Sequence, residues 1–294
     1  MLSVLGPAWQ TPACAKRFHP TGSTPYALIG PAYTGCGGFT APAINADFEQ
    51  QVVERINAVR AEHALPPLKR ASELDAAARY HATDMGQDDY VDHDSYDRVG
   101  SALLWACAWN DRIQSYYGHA LWLGENIAAG PTSPQDVLEV WLNSPPHRAL
   151  ILSADGWELG VGYYEGSGRY HRYWVQDVGR RAGVYPLVIN REAATTESRD
   201  VSLYIYGDWE EMRLRNDNGP WTGWQPFQAR MHWTLNEMAG ERVVWAELRS
   251  GSRSVTAYDS IYLLSATPTL TPSPTATATN TPMPARICLP MIIK

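Results

Sequence analysis

The chain has 294 residues, more than one compact core usually takes, so two globular units with connecting segments are expected. Its 31 acidic residues against 24 basic ones give a net charge of -7, and it carries no block of Lys and Arg to neutralise phosphates, which argues against a nucleic-acid partner. No run approaches the roughly 18 apolar residues that cross a bilayer, so no transmembrane span is expected.

Residues 1–44 are rich in Gly, Pro, Thr and Ser without periodicity and read as an irregular leader. The stretch has no basic residue before Lys16 and is interrupted by Pro7, Gln10 and Pro12, so it is a poor signal peptide. The expectation is a start upstream of Met1, or export that rests on another feature. Periodic sequence begins near Asp47, where Phe48, Val52, Ile56 and Val59 predict an amphipathic helix that Pro66 and Pro67 must end. Ser72 with Asp75 reads as a capping-box-like start of a second helix, with Leu74, Ala78, His81 and Met85 on one face. His81 is therefore expected as a core histidine, and the residues after Tyr90 deliver His93 into a loop.

The stretch from Asp97 to Leu123 has no clear period and reads as a partly buried insertion. Ser133, Pro134 and Asp136 mark a helix start, and Val137, Val140, Trp141 and Ser144 are expected on one face until Pro145 and Pro146 stop it. Residues from Glu158 to Tyr164 and from Tyr170 to Gly179 form a predicted hairpin around Glu165-Gly166-Ser167-Gly168. Helices followed by paired strands give an α+β unit. After Tyr185-Pro186 the chain changes to short strand-like runs separated by turns such as Asn216-Asp217-Asn218-Gly219-Pro220, which predicts a small all-β sandwich over residues 186–265. Trp221 and Trp224 are expected in its packing more than as a carbohydrate platform.

Residues 266–285 are a Thr/Pro-rich linker, too poor in apolar side chains to form a core and able to extend about 50 to 60 Å as a stalk. A short apolar tail, residues 286–294, follows, a candidate for envelope attachment or a frayed end. The four cysteines, Cys14, Cys36, Cys107 and Cys288, lack the spacing of a zinc knuckle or redox motif. In an exported chain Cys14 and Cys36 could close a loop, one of three possible pairings that sequence does not choose between.

Two runs carry most of the functional signal: Gly124-Glu125-Asn126-Ile127-Ala128, and Trp141-Leu142-Asn143-Ser144-Pro145-Pro146-His147-Arg148. They are read as loops that flank one short, capped helix and present a carboxylate and an imidazole. With Tyr90-Val91-Asp92-His93 upstream, and Gly160-Val161-Gly162 and Tyr173-Trp174-Val175-Gln176 downstream, they resemble the CAP superfamily of cysteine-rich secretory, pathogenesis-related and venom-allergen proteins, in its bacterial SCP-like branch. The resemblance covers residues 45–183 and implies an α-β-α sandwich there. Residues 186–265 more loosely resemble the immunoglobulin- or fibronectin-like modules of bacterial surface proteins.

The CAP resemblance implies a cleft lined by two histidines and two acids that holds zinc or another divalent cation. Carried over, His93 and His147 are the histidines and Glu125 the first acid, while the place of the second acid is taken by Ser144. The cleft set is therefore His93, Glu125, Ser144 and His147, with His93, Glu125 and His147 as the metal ligands. Two imidazoles and one carboxylate are an open zinc set, which the Ser144 hydroxyl would leave weaker than a second carboxylate. Each residue also has a bland reading: His93 as a loop cap, Glu125 as an acceptor of backbone N–H groups, and His147 as a partner of free helix-end carbonyls.

No His-Glu-x-x-His helix fixes a general base, Ser167 lies in a hairpin turn, and Cys107 has no assignable base. The reading is an exported bacterial CAP-domain protein acting as a binding module at the cell envelope or outside the cell, for a divalent cation, a small ligand, a lipid or a cell-wall component. The rival is a metal-assisted hydrolase of peptide or cell-wall substrate with Glu125 as ligand or base. A third reading is a purely structural, adhesive surface protein.

Overall fold

The computed structural model describes residues 33–265. The expectations for the signal peptide, for Cys14 and Cys288, for the linker and for the apolar tail fall outside the described residues. Most of the expected leader does too; its last part, residues 33–44, has no helix or strand.

The first unit opens with α1 (Ala46–Glu62), capped by Asn45, whose side chain accepts from the Phe48 N–H. β1 (Lys69–Arg70) leads into α2 (Ser72–Gln87). The expected Ser72 cap is not formed: the N-cap residue is Ala71, and the Asp75 carboxylate is used instead by the Arg70 guanidinium and the Val161 N–H. Tertiary partners outcompete the local capping bond here, because Asp75 sits where α2 meets the sheet.

The aperiodic stretch from Asp97 to Leu123 holds most of a hairpin, β2 (Ser95–Val99) with β3 (Ala102–Cys107), then α3 (Trp109–Tyr116) and the first part of β4 (Ala120–Ala129). Next come α4 (Pro134–Asn143) and α5 (Pro145–Ile151), so Pro145 and Pro146 end one helix and supply the first turn of another. β5 (Glu158–Glu165) and β6 (Arg172–Arg181) form the expected hairpin.

The sheet runs β1-β5-β6-β4, with β1 parallel to β5 and the other pairs antiparallel. One face packs on α1, α4 and α5 through a cluster that includes Val52, Ile56, Trp141, Leu159, Val161 and Trp174. The other face takes α2, through Ala78, Ala82, Met85, Tyr173 and Val175. The face predicted for α2, with Leu74, Ala78, His81 and Met85, is fully buried. Alternation on β5 explains Gly160-Val161-Gly162: Val161 enters the first cluster, while a Cβ on Gly160 would lie 2.1 Å from Leu74 C and one on Gly162 2.2 Å from Ala78 C. The backbone of α2 rests directly on those two glycines.

Cys36 is joined to Cys107, with Cα atoms 5.5 Å apart, which corrects the Cys14–Cys36 loop. The bridge ties the segment before α1 to the end of β3, a proximity that only the folded hairpin creates.

Further strands follow as β7 (Leu187–Ile189), β8 (Thr195–Thr196), β9 (Asp200–Ile205), β10 (Glu211–Asn216), β11 (Gln225–Pro226), β12 (Arg230–Thr234), β13 (Gly240–Ser250) and β14 (Arg253–Leu263). They build two sheets, β11-β10-β13-β14-β8 and β12-β9-β7, around a second buried cluster with Ile189, Leu203, Ile205, Leu214, Val244 and Leu248. Trp221 and Trp224 are outside that cluster; each carries arginines on its ring, Trp221 those of Arg213 and Arg215, Trp224 those of Arg213 and Arg249.

The two clusters meet along a polar seam. Lys69 Nζ is 3.0 Å from Glu192 and also bonded to Asp259, and the Tyr206 hydroxyl donates to the Pro67 carbonyl at 2.9 Å. Asn190, Arg191 and Glu192 adopt left-handed backbone, with φ of 44°, 61° and 68°, uncommon for side-chain-bearing residues. The Asn57 amide on the Arg191 carbonyl and the Gln50 amide on the Glu192 carbonyl hold this turn from α1.

Candidate functional site

β4 is one of the two edge strands of its sheet, and a cleft of about 470 Å³ lies beside it. His93, Trp109, Leu123, Glu125, Pro146 and His147 are among its lining residues. Three of the four residues expected at the site are thus together, but on different supports from those expected. Glu125 is in the middle of β4 and His147 in the first turn of α5, not in loops. Ser144 is outside the lining residues; it is the junction of α4 and α5. Trp141 and Ser144 do not turn together to the cleft: Trp141 is fully buried, its indole N–H donating to the Ile127 carbonyl, and Val140 is exposed. The chain breaks direction at Ser144, so the helical period of α4 stops applying there.

Alternation along β4 distributes the Gly-Glu-Asn motif over two neighbours. A Cβ on Gly124 would meet Leu150 Cδ1 at 2.4 Å, so glycine lets α5 lie against the strand. Asn126 donates to the His147 carbonyl at 3.1 Å and to Gln176 Oε1 at 3.0 Å, which fixes the start of α5 over β4. Glu125, between them, turns to the other neighbour, α3. Its Oε1 is 2.8 Å from His93 Nδ1, and its Oε2 accepts from Arg112 Nη2. Arg112 is fully buried and also donates to the His93 carbonyl at 2.8 Å and Ser95 Oγ at 3.1 Å. One guanidinium therefore sets both the carboxylate and the loop that carries the imidazole.

Electrostatics follow from this arrangement. Burial alone would raise the Glu125 pKa, but Arg112, His81 and His93 together outweigh it and pull the carboxyl down, so it is an anion. Directly opposite on β6, Asp177 is fully buried and its pKa is raised well above the usual carboxylate range, first by burial and then by the Glu125 charge. Neither Asp177 oxygen has a hydrogen-bond partner among the described residues, which suits a protonated, neutral carboxyl. His93 is pushed up by its hydrogen bond to Glu125, while His147 is lowered by burial and by the nearby His93 charge. His81 is the expected core histidine, lowered to about 3 by burial and then by Arg112, with Nε2 on the Asp92 carbonyl at 2.9 Å.

The three-ligand metal set does not fit this geometry. Both Glu125 oxygens are engaged, one by an imidazole and one by a guanidinium, and an arginine-paired carboxylate is a poor cation ligand. Among the described residues no group of three or more His, Cys, Asp or Glu side chains is arranged to hold a metal ion. What the cleft offers is an imidazole whose Nδ1–H is committed to Glu125, leaving Nε2 unengaged by it, with a second, mostly neutral imidazole beside it and apolar walls. Arg112 and Asp177 escaped the sequence reading: the first lies in the aperiodic stretch before β4, and the second in a strand whose pattern signals only burial.

No helix among the described residues is long and apolar enough to cross a membrane. A family model, the cysteine-rich secretory protein family or CAP, matches residues 53–178. The uncharacterized protein YkwD of Bacillus subtilis is 36% identical over 126 residues, which cover 43% of this chain and 46% of that protein. The membrane protein YlbC of the same organism is 31% identical over 119 residues, 40% of this chain and 32% of that one. The chain thus spans less than half the length of these curated relatives. A solved extracellular protein containing a SCP domain, from Bacillus anthracis, is 30% identical with a TM-score of 0.39, covering 47% of this chain and 42% of that chain. Residues 53–178 are thus the part of the chain that is similar to the CAP family.

Proposed function

We propose, taking residues 53–178 as a CAP domain, that it is an extracellular binding module whose cleft takes a small ligand with a polar or anionic head. The observation that carries this is the pair His93 and His147 in one cleft, one imidazole favouring its cation and the other its neutral form. Together they offer a charged donor and a neutral imidazole able to donate or accept, while Trp109, Leu123, Pro146 and Leu150 supply an apolar wall for the ligand's body. The Cys36–Cys107 bridge supports an oxidising location, because such bonds are rare in the cytosol. A hydrolase is disfavoured by the state of Glu125, which is strongly anionic and has both oxygens occupied, so it is badly placed to take a proton from water. A divalent cation would have only the two imidazoles and would be held weakly.

The test is a titration of the full chain with octanoate, and separately with zinc, followed by imidazole NMR and calorimetry. Octanoate is expected to move the His93 and His147 signals at millimolar concentration and those of His81 not at all. Unmoved His93 and His147 signals would overturn the reading. Zinc binding tighter than micromolar that disappears in Glu125→Gln would restore the metal centre.

A further inference from the structure

A second groove runs along the seam between the two buried clusters and shares no lining residue with the cleft of His93. One end, about 530 Å³, is lined by Leu65, Pro67, Arg191, Tyr204, Arg230 and His232, among others. The other, about 680 Å³, is lined by Pro66, Trp157, Tyr185, Tyr204, Asp208 and Arg253, among others. Tyr204 walls both ends, and the adjacent residues Pro66 and Pro67 wall one each, so the two are a single trough.

Its charge is positive. Arg70, Arg79, Arg112 and Arg181 each grip a carboxylate, whereas no ion pair holds Arg191, Arg230 or Arg253 among the described residues. Two of the three side chains are held against aromatic rings. Arg230 lies 4.8 Å over the Tyr204 ring, and Arg253 lies 4.0 Å over Trp209 and 5.4 Å from Tyr185. The backbone of Arg191 is held by the Asn57 amide. Acids nearby are few: Asp208 lines the trough, and Asp200 stands 3.7 Å from His232. A chain of net charge -7 therefore presents three guanidiniums without a carboxylate partner along one exposed trough, two of them laid over aromatic rings, which attracts an anion. Planar guanidiniums match carboxylates two bonds at a time, and tyrosines between them give a wet, amphipathic floor.

We propose that this trough binds an acidic polysaccharide, its carboxylates on Arg191, Arg230 and Arg253 and its sugar rings against Tyr204 and Tyr185. The trough is open along its length, since Arg191, Ser202, Arg230, His232 and Arg253 are all exposed, which suits an extended polymer better than an enclosed small molecule. Because its walls come from both units, bound polymer also fixes how the CAP domain is presented. This reading is independent of the His93 cleft.

The experiment is calorimetric titration of the full chain with an oligogalacturonate about ten sugars long, with dextran of similar length as the neutral control. Wild type is expected to bind oligogalacturonate, more weakly as salt is raised. Arg230→Gln and Arg253→Gln are each expected to weaken binding roughly tenfold, and the pair to abolish it. Both side chains are exposed, and thermal unfolding verifies that the variants fold. Arg169→Gln, on an exposed arginine elsewhere, is expected to change nothing. Absence of wild-type binding, an unchanged Kd in the folded double variant, equal binding of dextran, or equal weakening by Arg169→Gln would each overturn the proposal.

Discussion

His93 Nδ1 sits 2.8 Å from Glu125 Oε1, and the other oxygen of that carboxylate belongs to the buried Arg112. Glu125 is therefore a fixed acceptor beneath the cleft. It sets the orientation and charge of His93 and leaves the second histidine, His147, to its own surroundings.

The two cleft histidines should titrate on opposite sides of the ordinary imidazole value of about 6.5. His93 is raised by Glu125, so its stabilising contribution is complete below about 6.5 and is lost as pH rises through its folded value. His147 is lowered, so the folded state loses stability as pH falls from about 6.5 through its folded value. Imidazole NMR titration resolves the two, and Glu125→Gln should bring His93 back down. A His147 midpoint above that of His93 contradicts the assignment.

Arg112→Met should destabilise the fold by about 3 to 5 kcal/mol, because it removes the buried cation from one oxygen of the Glu125 anion and leaves only the half-exposed His93 on the other. Adding Glu125→Leu to that variant should recover part of the loss, since a buried pair replaced by apolar groups costs less than a broken one. Urea unfolding of the two variants decides it; equal stability of both would show that the pair is not coupled.

Cys36→Ser should cost about 4 kcal/mol, the loop-closure contribution of a bridge between residues 71 apart in sequence. Non-reducing peptide mapping should first recover Cys36 linked to Cys107. Recovery of Cys36 with another cysteine would discard the bridge described above.

Gly162→Ala should lower stability by about 3 kcal/mol or more, because its Cβ would lie 2.2 Å from the Ala78 carbonyl carbon and α2 cannot yield without leaving the sheet. Gly118→Ala, where nothing lies within 4 Å, serves as the control and should be near neutral. A comparable loss in both would mean that the close approach of α2 is not the cause.

The sequence by itself determined the periodic elements: the stripe of α1, the buried face of α2, the capped start of α4 and the β5–β6 hairpin all follow from spacing that local geometry enforces. It also marked His93, Glu125 and His147 as members of one place, because motif residues keep their order along the chain. Only the tertiary structure decided what Glu125 does. Its partner Arg112 comes from a stretch with no period, and its neighbour Asp177 reaches it by strand pairing 52 positions away, so no local pattern could announce either. The same reason explains Ser144 and Cys36. A turn between two helices removed the first from the cleft, and the β2–β3 hairpin brought Cys107 to the second, both outcomes of long-range packing that sequence spacing does not encode.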